Sequence, residues 1–330
     1  GQDVTVLLEL KEKLKITHGK YDIYLNPLFK FMLAACVFWI INGNIGYMAR
    51  VKSLPVGLVL ALFCSILPLG AMIVVAAAVI LLHLYALALE VAAVAFVLFV
   101  LMGLLYFRFA PRDGIYTVLM PLCLHYNIGP VMPMAVGLLG KAYSVVSIFC
   151  GTVVWFFLNG VKQNQAVFGS SGQDTASSKL TVALNQIMGN KEMFLTLAAF
   201  IMVTAVVYVV RRLSVDYAWT AAIIIGGLVN FVVLFAGYLA LGITGRTVGL
   251  IVSSLLGLVI SLILEFLYFN LDYTRTERVQ FEDDEYYYYV KAVPKMYVAK
   301  KEKRVKRFSS KGGGRVSKKQ VSDKIERKLR

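Results

Sequence analysis

LPVGLVLALFCSILPLGAMIVVAAAVILLHLYALALEVAAVAFVLFVLMGLLYF, residues 54–107, decides the fold class. Two interruptions mark it: Pro68-Leu69-Gly70 and the neighbourhood of His83 and Glu90. About 20 apolar residues carry a helix across ~30 Å of hydrocarbon. As one continuous helix this stretch would reach about 81 Å. It must therefore fold back within or at the edge of a bilayer, and the chain reads as an integral membrane protein.

Further apolar blocks flank it on both sides. Leu28–Met48 is a first span, loosened at its far end by Asn42, Gly43, Asn44 and Gly46. Pro68-Leu69-Gly70 divides 54–84 into halves that give ~21 Å of helix each, too short to cross. Ala86–Phe107 reads as a full span. The layout then recurs: 115–139 is broken by Asn127, Gly129, Pro130 and Pro133, and Tyr143–Leu158 follows as a span. Broken backbone survives at membrane depth only where protein or a water-filled cavity satisfies the freed polar groups. Both breaks are thus expected at mid-depth, as re-entrant hairpins or discontinuous spans. A polar loop occupies 161–192, and Met193–Val210, Tyr217–Leu241 and Val248–Phe269 complete the set. The expected fold is all-α and polytopic, with six full spans plus two broken segments, or eight spans if both broken segments cross. Residues 1–26 form an amphipathic segment suited to the cytoplasmic interface.

Of the 330 residues 59% are hydrophobic, and the formal net charge is +15. Residues 291–330 hold 16 Lys and Arg against 3 acidic residues, so most of the excess sits in a tail that opens with the acidic-aromatic run FEDDEYYYYVKAVPK at 281–295. Lysine-rich flanks at both ends place both termini in the cytoplasm by the positive-inside rule, with 161–192 outside the cell membrane. The tail would meet anionic lipid head groups, and 281–308 is a candidate surface for a cytoplasmic protein partner. Charge alone gives no case for nucleic acid, because no aromatic-basic module accompanies it. The four cysteines lie inside apolar blocks without metal-ligand spacing, and no cofactor, nucleotide or hydrolase motif has a supporting context. Any ATPase that drives the protein would be a separate subunit.

The segment ERVQFEDDEYYYYVKAVPK at 277–295, with HLYALALE at 83–90, resembles a group of uncharacterised bacterial multispan membrane proteins, some of them labelled transporter permeases. The resemblance extends over most of residues 20–308. It implies a multispan membrane protein and supplies no catalytic residues to carry over.

Opposed broken segments in two halves of a chain point to a secondary-transporter site. Pro68, Gly70, His125, Asn127, Gly129 and Pro130 are accordingly the candidate substrate contacts, through freed carbonyls and side-chain donors. His83 and Glu90 are candidates for ion or proton handling, since ionisable groups at membrane depth are costly and default to function; a turn between Leu82 and Glu90 would instead place them at a wet interface. Asn230 reads as interhelical hydrogen-bonding glue. Gly245, Gly249, Ser253, Gly257 and Ser261 recur every fourth residue and form a small-residue ridge for close helix packing, most simply against Tyr217–Leu241. The leading functional expectation is a transport or export component, and the rival is a scaffold that recruits partners through its loop and tail.

Overall fold

The computed structural model describes residues 2–169, 175–215, 217–268 and the strand segments 277–282 and 287–292. Residues 1–269 form one compact unit, and 270–330 are a second. Seven stretches in the first unit are helical, long and apolar enough to cross a membrane. The coarse expectation of a membrane-embedded multi-pass helical protein stands on them.

The chain passes repeatedly between two ends of a bundle. α1 (Gln2–Ile45) leaves helical dihedrals at Tyr21 (φ −114°, ψ 17°), shortly before Pro27, which cannot donate to the Ile23 carbonyl. The segment before the kink lies by the last turns of α13, with the Lys11 ammonium 5.3 Å from the Phe266 ring centroid. That end is termed proximal. At the opposite, distal end sits the short helix α2 (Ala49–Lys52). α3 (Leu54–Ile66) returns along α1, and α4 (Leu69–Leu87) runs back to the distal end, where the Met48 N–H donates to His83 Nδ1 at 3.2 Å. One extended residue, Ala88 (φ −162°, ψ 140°), reverses the chain into α5 (Leu89–Phe109).

The break at Pro68-Leu69-Gly70 is therefore not at mid-depth. Gly70 lies against Phe107, and Leu69 against Gly114, both at the proximal end of α5. The Lys30 ammonium donates to the Leu67 carbonyl there, at 3.3 Å. The two halves are unequal because nothing in LLHLYAL stops a helix: α3 has 13 residues, whereas α4 has 19 and runs past Leu84. The segment does return to the end from which it came, as expected of a hairpin.

The second broken segment behaves differently. α6 (Gly114–His125) and α7 (Val131–Leu139) form a hairpin that opens at the proximal end. The Ser147 hydroxyl donates to the Asp113 carbonyl at its start, and Arg211 Nη2 donates to the Gly140 carbonyl at its finish, at 3.4 and 3.1 Å. At the tip Gly129 and Pro130 are buried, whereas His125, Tyr126 and Asn127 are exposed. Gly129 faces Phe200, halfway along α11 (Lys191–Val210), and Asn127 Nδ2 donates to the Gly249 carbonyl at 3.1 Å. Asn127 adopts φ 58°, a left-handed conformation that asparagine tolerates better than most residues. The two broken segments thus open toward opposite ends.

α8 (Val145–Gln163) carries the chain back to the distal end, where α9 (Gln165–Phe168) and α10 (Thr175–Met188) follow. Distal contacts tie these pieces together: Lys162 Nζ donates to Asn44 Oδ1 at 2.7 Å, and the Tyr47 hydroxyl to Gln165 Oε1 at 3.1 Å. Burial raises the Tyr47 pKa above its ordinary value, which keeps that hydroxyl a neutral donor. α11 then runs proximally, α12 (Ala218–Leu241) distally and α13 (Thr247–Tyr268) proximally, with an Arg246–Glu192 ion pair of 2.8 Å closing the distal side. α7 sits among α11, α12 and α13, with eight of its nine residues buried.

The small-residue ridge has a different partner from the expected one. Gly245 (φ 78°) lies in the turn before α13 with open space around it, so the ridge proper starts at Gly249. Ser253, Gly257 and Ser261 are buried. A Cβ on Gly257 would stand 3.2 Å from Pro130 Cβ and 3.4 Å from Met134 Cε. The ridge therefore receives the tip of the second broken segment, while α12 packs on an adjoining face through Asn230 and Ser254 (3.5 Å). Gly257→Leu is expected to cost about 1–3 kcal/mol by overpacking, read as a lower melting temperature in detergent. The sequence marks Leu250→Ile as a silent control, but Leu250 is buried against Ala199 and Leu234. Leu255→Ile, at an exposed position, is the proper one. Wild-type melting of Gly257→Leu would remove the contact between α13 and the tip.

The second unit contains β1 (Glu277–Glu282) and β2 (Tyr287–Ala292), paired antiparallel with Phe281 opposite Tyr288. The strand propensity of EDDEYYYYVKAV already points to a short strand or hairpin here, beside the all-α membrane unit. The rest of the partner segment 281–308, and the basic end, lie outside the described residues.

Candidate functional site

The two broken segments meet at a cavity of about 190 Å³. α4 contributes Ile73, Ala76, Ala77 and Ile80 from the first segment; α6 contributes Thr117, Val118, Pro121, Leu122 and His125 from the second. α1, α5 and α8 close the remaining sides. Local chemistry explains why these faces can line a void. α4 offers small alanines toward α6, and Pro121 within α6 lacks the N–H that would bond the Thr117 carbonyl.

The wall is polarised. Asn44, Asn159 and Lys162 lie toward the distal end and His125 ends α6 beside the tip of the second broken segment, whereas Val37 on α1, Val118 on α6 and Val154 on α8 lie deeper on the same helices. Lys162 is exposed and marks the distal mouth, and His125 is exposed beside the tip. From Thr117 to His125 the α6 wall extends about 12 Å. Trp155, seven residues before Lys162 on α8, lies about 10 Å below it along the wall.

Of the residues singled out from sequence, only His125 lines this cavity. Pro68 is exposed at the proximal turn, and Gly70 packs on Phe107. Asn127, Gly129 and Pro130 turn away, toward Gly249, Phe200 and Gly257. They act in docking the tip. Asn159 and Lys162 had no signal of their own in the sequence, and Asn44 only as part of the loosened end of the first span; packing alone joins them.

His83 and Glu90 also separate. The turn at Ala88 does fall between them, yet His83 is fully buried rather than wet. Its Nδ1 accepts from the Met48 N–H, and its Nε2 bonds Asn42 Oδ1 at 2.8 Å. An Nε2–H tautomer satisfies both contacts. The ring closes the α1–α2 corner and does not face the cavity. Glu90 is half-buried in the first turn of α5, where a carboxylate suits the helix N-terminus.

Glu265 accepts from the Thr220 hydroxyl at 2.7 Å and so ties α12 to α13. No family model matches the chain, and neither a curated protein nor a solved structure gives a significant match.

Proposed function

We propose that the protein is a membrane transport or export component whose site is the cavity between the broken segments. One observation carries this reading: helices from two broken segments that open toward opposite ends jointly line one void. In membrane transporters, discontinuous segments from two halves converge on the site in this manner. The α6–α7 hairpin is the re-entrant element, and α3–α4 a helical pair that crosses and returns. The proximal end, with Arg108, Arg112, Lys141, Arg211 and Arg212, faces the cytoplasm, and the distal end faces outward. Both termini are then cytoplasmic in a bacterial cell membrane, and any energy-supplying ATPase is a separate subunit.

Single cysteines in a cysteine-free background test this. In intact cells an impermeant thiol reagent should modify Lys179→Cys but reach Arg112→Cys only after permeabilisation. Thr117→Cys, deep in the cavity, should react from the distal side in one condition and be protected in another. Equal labelling of Lys179→Cys and Arg112→Cys from outside would overturn the orientation. Thr117→Cys locked in one state under every ionic and energetic condition would leave the cavity without a transport cycle and favour the scaffold.

A further inference from the structure

We propose that the cavity takes a single-chain amphiphile with an anionic head group: the alkyl chain lies in the apolar interior, and the head sits at Lys162. This rests on the transport reading for its purpose, but not for its chemistry.

The wall excludes the commoner alternatives. A dry apolar cavity of ~150 Å³ holds apolar guests and no water, and the interior here, from Ile80 down to Ile73 and Val154, is of that kind. A hydrated ion or a sugar entering it would shed its hydrogen bonds without replacement, at roughly 2–7 kcal/mol per polar group. An alkyl chain loses nothing by entering. Thr117, deep in the wall, donates its hydroxyl to the Asp113 carbonyl at the start of its own helix, and at the distal mouth Lys162 is the cationic group among the lining residues and is exposed. Its ammonium already donates to Asn44 Oδ1 and keeps further donors for an incoming oxyanion. Asn159, about one turn before Lys162 on α8, adds a polar partner.

Depth sets the length of the guest. The wall of about 12 Å is a little less than half of the ~30 Å hydrocarbon thickness. One chain of about a leaflet's length fits; a two-chain lipid does not. The mouth opens at the distal end, so head and chain enter in the orientation that an amphiphile already has in the outer leaflet.

Trp155, about 10 Å below Lys162 along α8, supplies the readout. The full-length protein, in nanodiscs of uncharged phosphatidylcholine, is titrated with dodecanoate brominated either at the chain terminus or beside the carboxylate. Terminal bromine should quench a saturable share of the tryptophan fluorescence, and head-adjacent bromine a much smaller one. Loss of that share in Trp155→Phe assigns it, because Trp39 faces outward at 71% exposure and is quenched without saturation. Lys162→Gln should weaken binding of the carboxylate about fivefold, as expected for one lysine near a surface, and leave the terminally brominated alcohol unchanged. Ala77→Phe, which fills the void, should abolish saturation for both. The proposal is overturned if quenching of Trp155 never saturates, if both bromine positions quench alike, or if Lys162→Gln affects acid and alcohol equally. Saturable binding with Thr117→Cys locked in one state would retain the amphiphile site and discard transport. Alternating Thr117→Cys labelling without saturable quenching would do the reverse.

Discussion

Gly137→Leu is expected to lower the melting temperature more than any other single change considered above. Gly137 lies on α7 against α11, and even a Cβ there would stand 2.7 Å from Val207 Cβ and 3.0 Å from the Thr204 carbonyl oxygen. The first atom sits beside its own backbone and the second is backbone, so neither can move away as a flexible side-chain end could. Alanine alone should cost about 1–3 kcal/mol, and leucine should displace α7 from its groove. At Gly257 the first obstacles are Pro130 Cβ and the mobile end of Met134, so the effect there should be smaller. Melting curves of Gly137→Ala, Gly257→Ala and wild type, monitored by fluorescence-detected chromatography, give the ranking. If Gly137→Ala melts above Gly257→Ala, α7 does not dock on α11 as described.

The second large effect is expected at His83. His83→Leu leaves the Met48 N–H and the Asn42 carboxamide oxygen without their ring partner at a buried corner. An unmet buried polar group costs about 1–3 kcal/mol, and here two lose a partner at once. His83→Gln can restore one of the bonds and should recover part of the loss. The measurement is protease susceptibility in the 45–54 connection together with thermal stability. Equal behaviour of the Leu and Gln variants would show that the ring acts by volume alone. A transport defect in His83→Gln at unchanged stability would return His83 to the ion-handling role that its membrane depth suggests.

Much of the helical layout was legible because apolar length is a strong signal. The break at Asn127-Ile128-Gly129-Pro130 was equally legible: a residue suited to a left-handed turn, a glycine and a proline in sequence leave a helix little chance. Ala88 was not. Leu87-Ala88-Leu89 is good helix-forming sequence, and the reversal there arises because α4 and α5 pack side by side, a tertiary cause without a local mark. The depth of Pro68 failed for a related reason, since depth depends on how far α4 continues before that reversal.

Spacing at Gly249, Ser253, Gly257 and Ser261 disclosed a face but not its occupant. A smooth ridge admits any helix, and the choice of the α6–α7 tip over α12 depends on Pro130 and Met134 being there to fill it. The cavity was the least legible feature. Its polar residues, Asn44, His125, Asn159 and Lys162, come from three helices and share no sequence pattern.

The central position of α7 constrains the order in which the protein can be made. Residues 131–139 leave the ribosome well before Phe200, Val207 and Gly257, the groups that enclose them. Until then a nine-residue helix too short to cross the bilayer has no groove to occupy. Its insertion must therefore be post-translational with respect to its own segment: the hairpin waits at the proximal surface or inside the insertion machinery until α11 and α13 arrive. Non-local closure of this kind is slow and exposes apolar surface meanwhile. A nascent chain stalled before α11 would be the form most dependent on chaperones and most open to degradation.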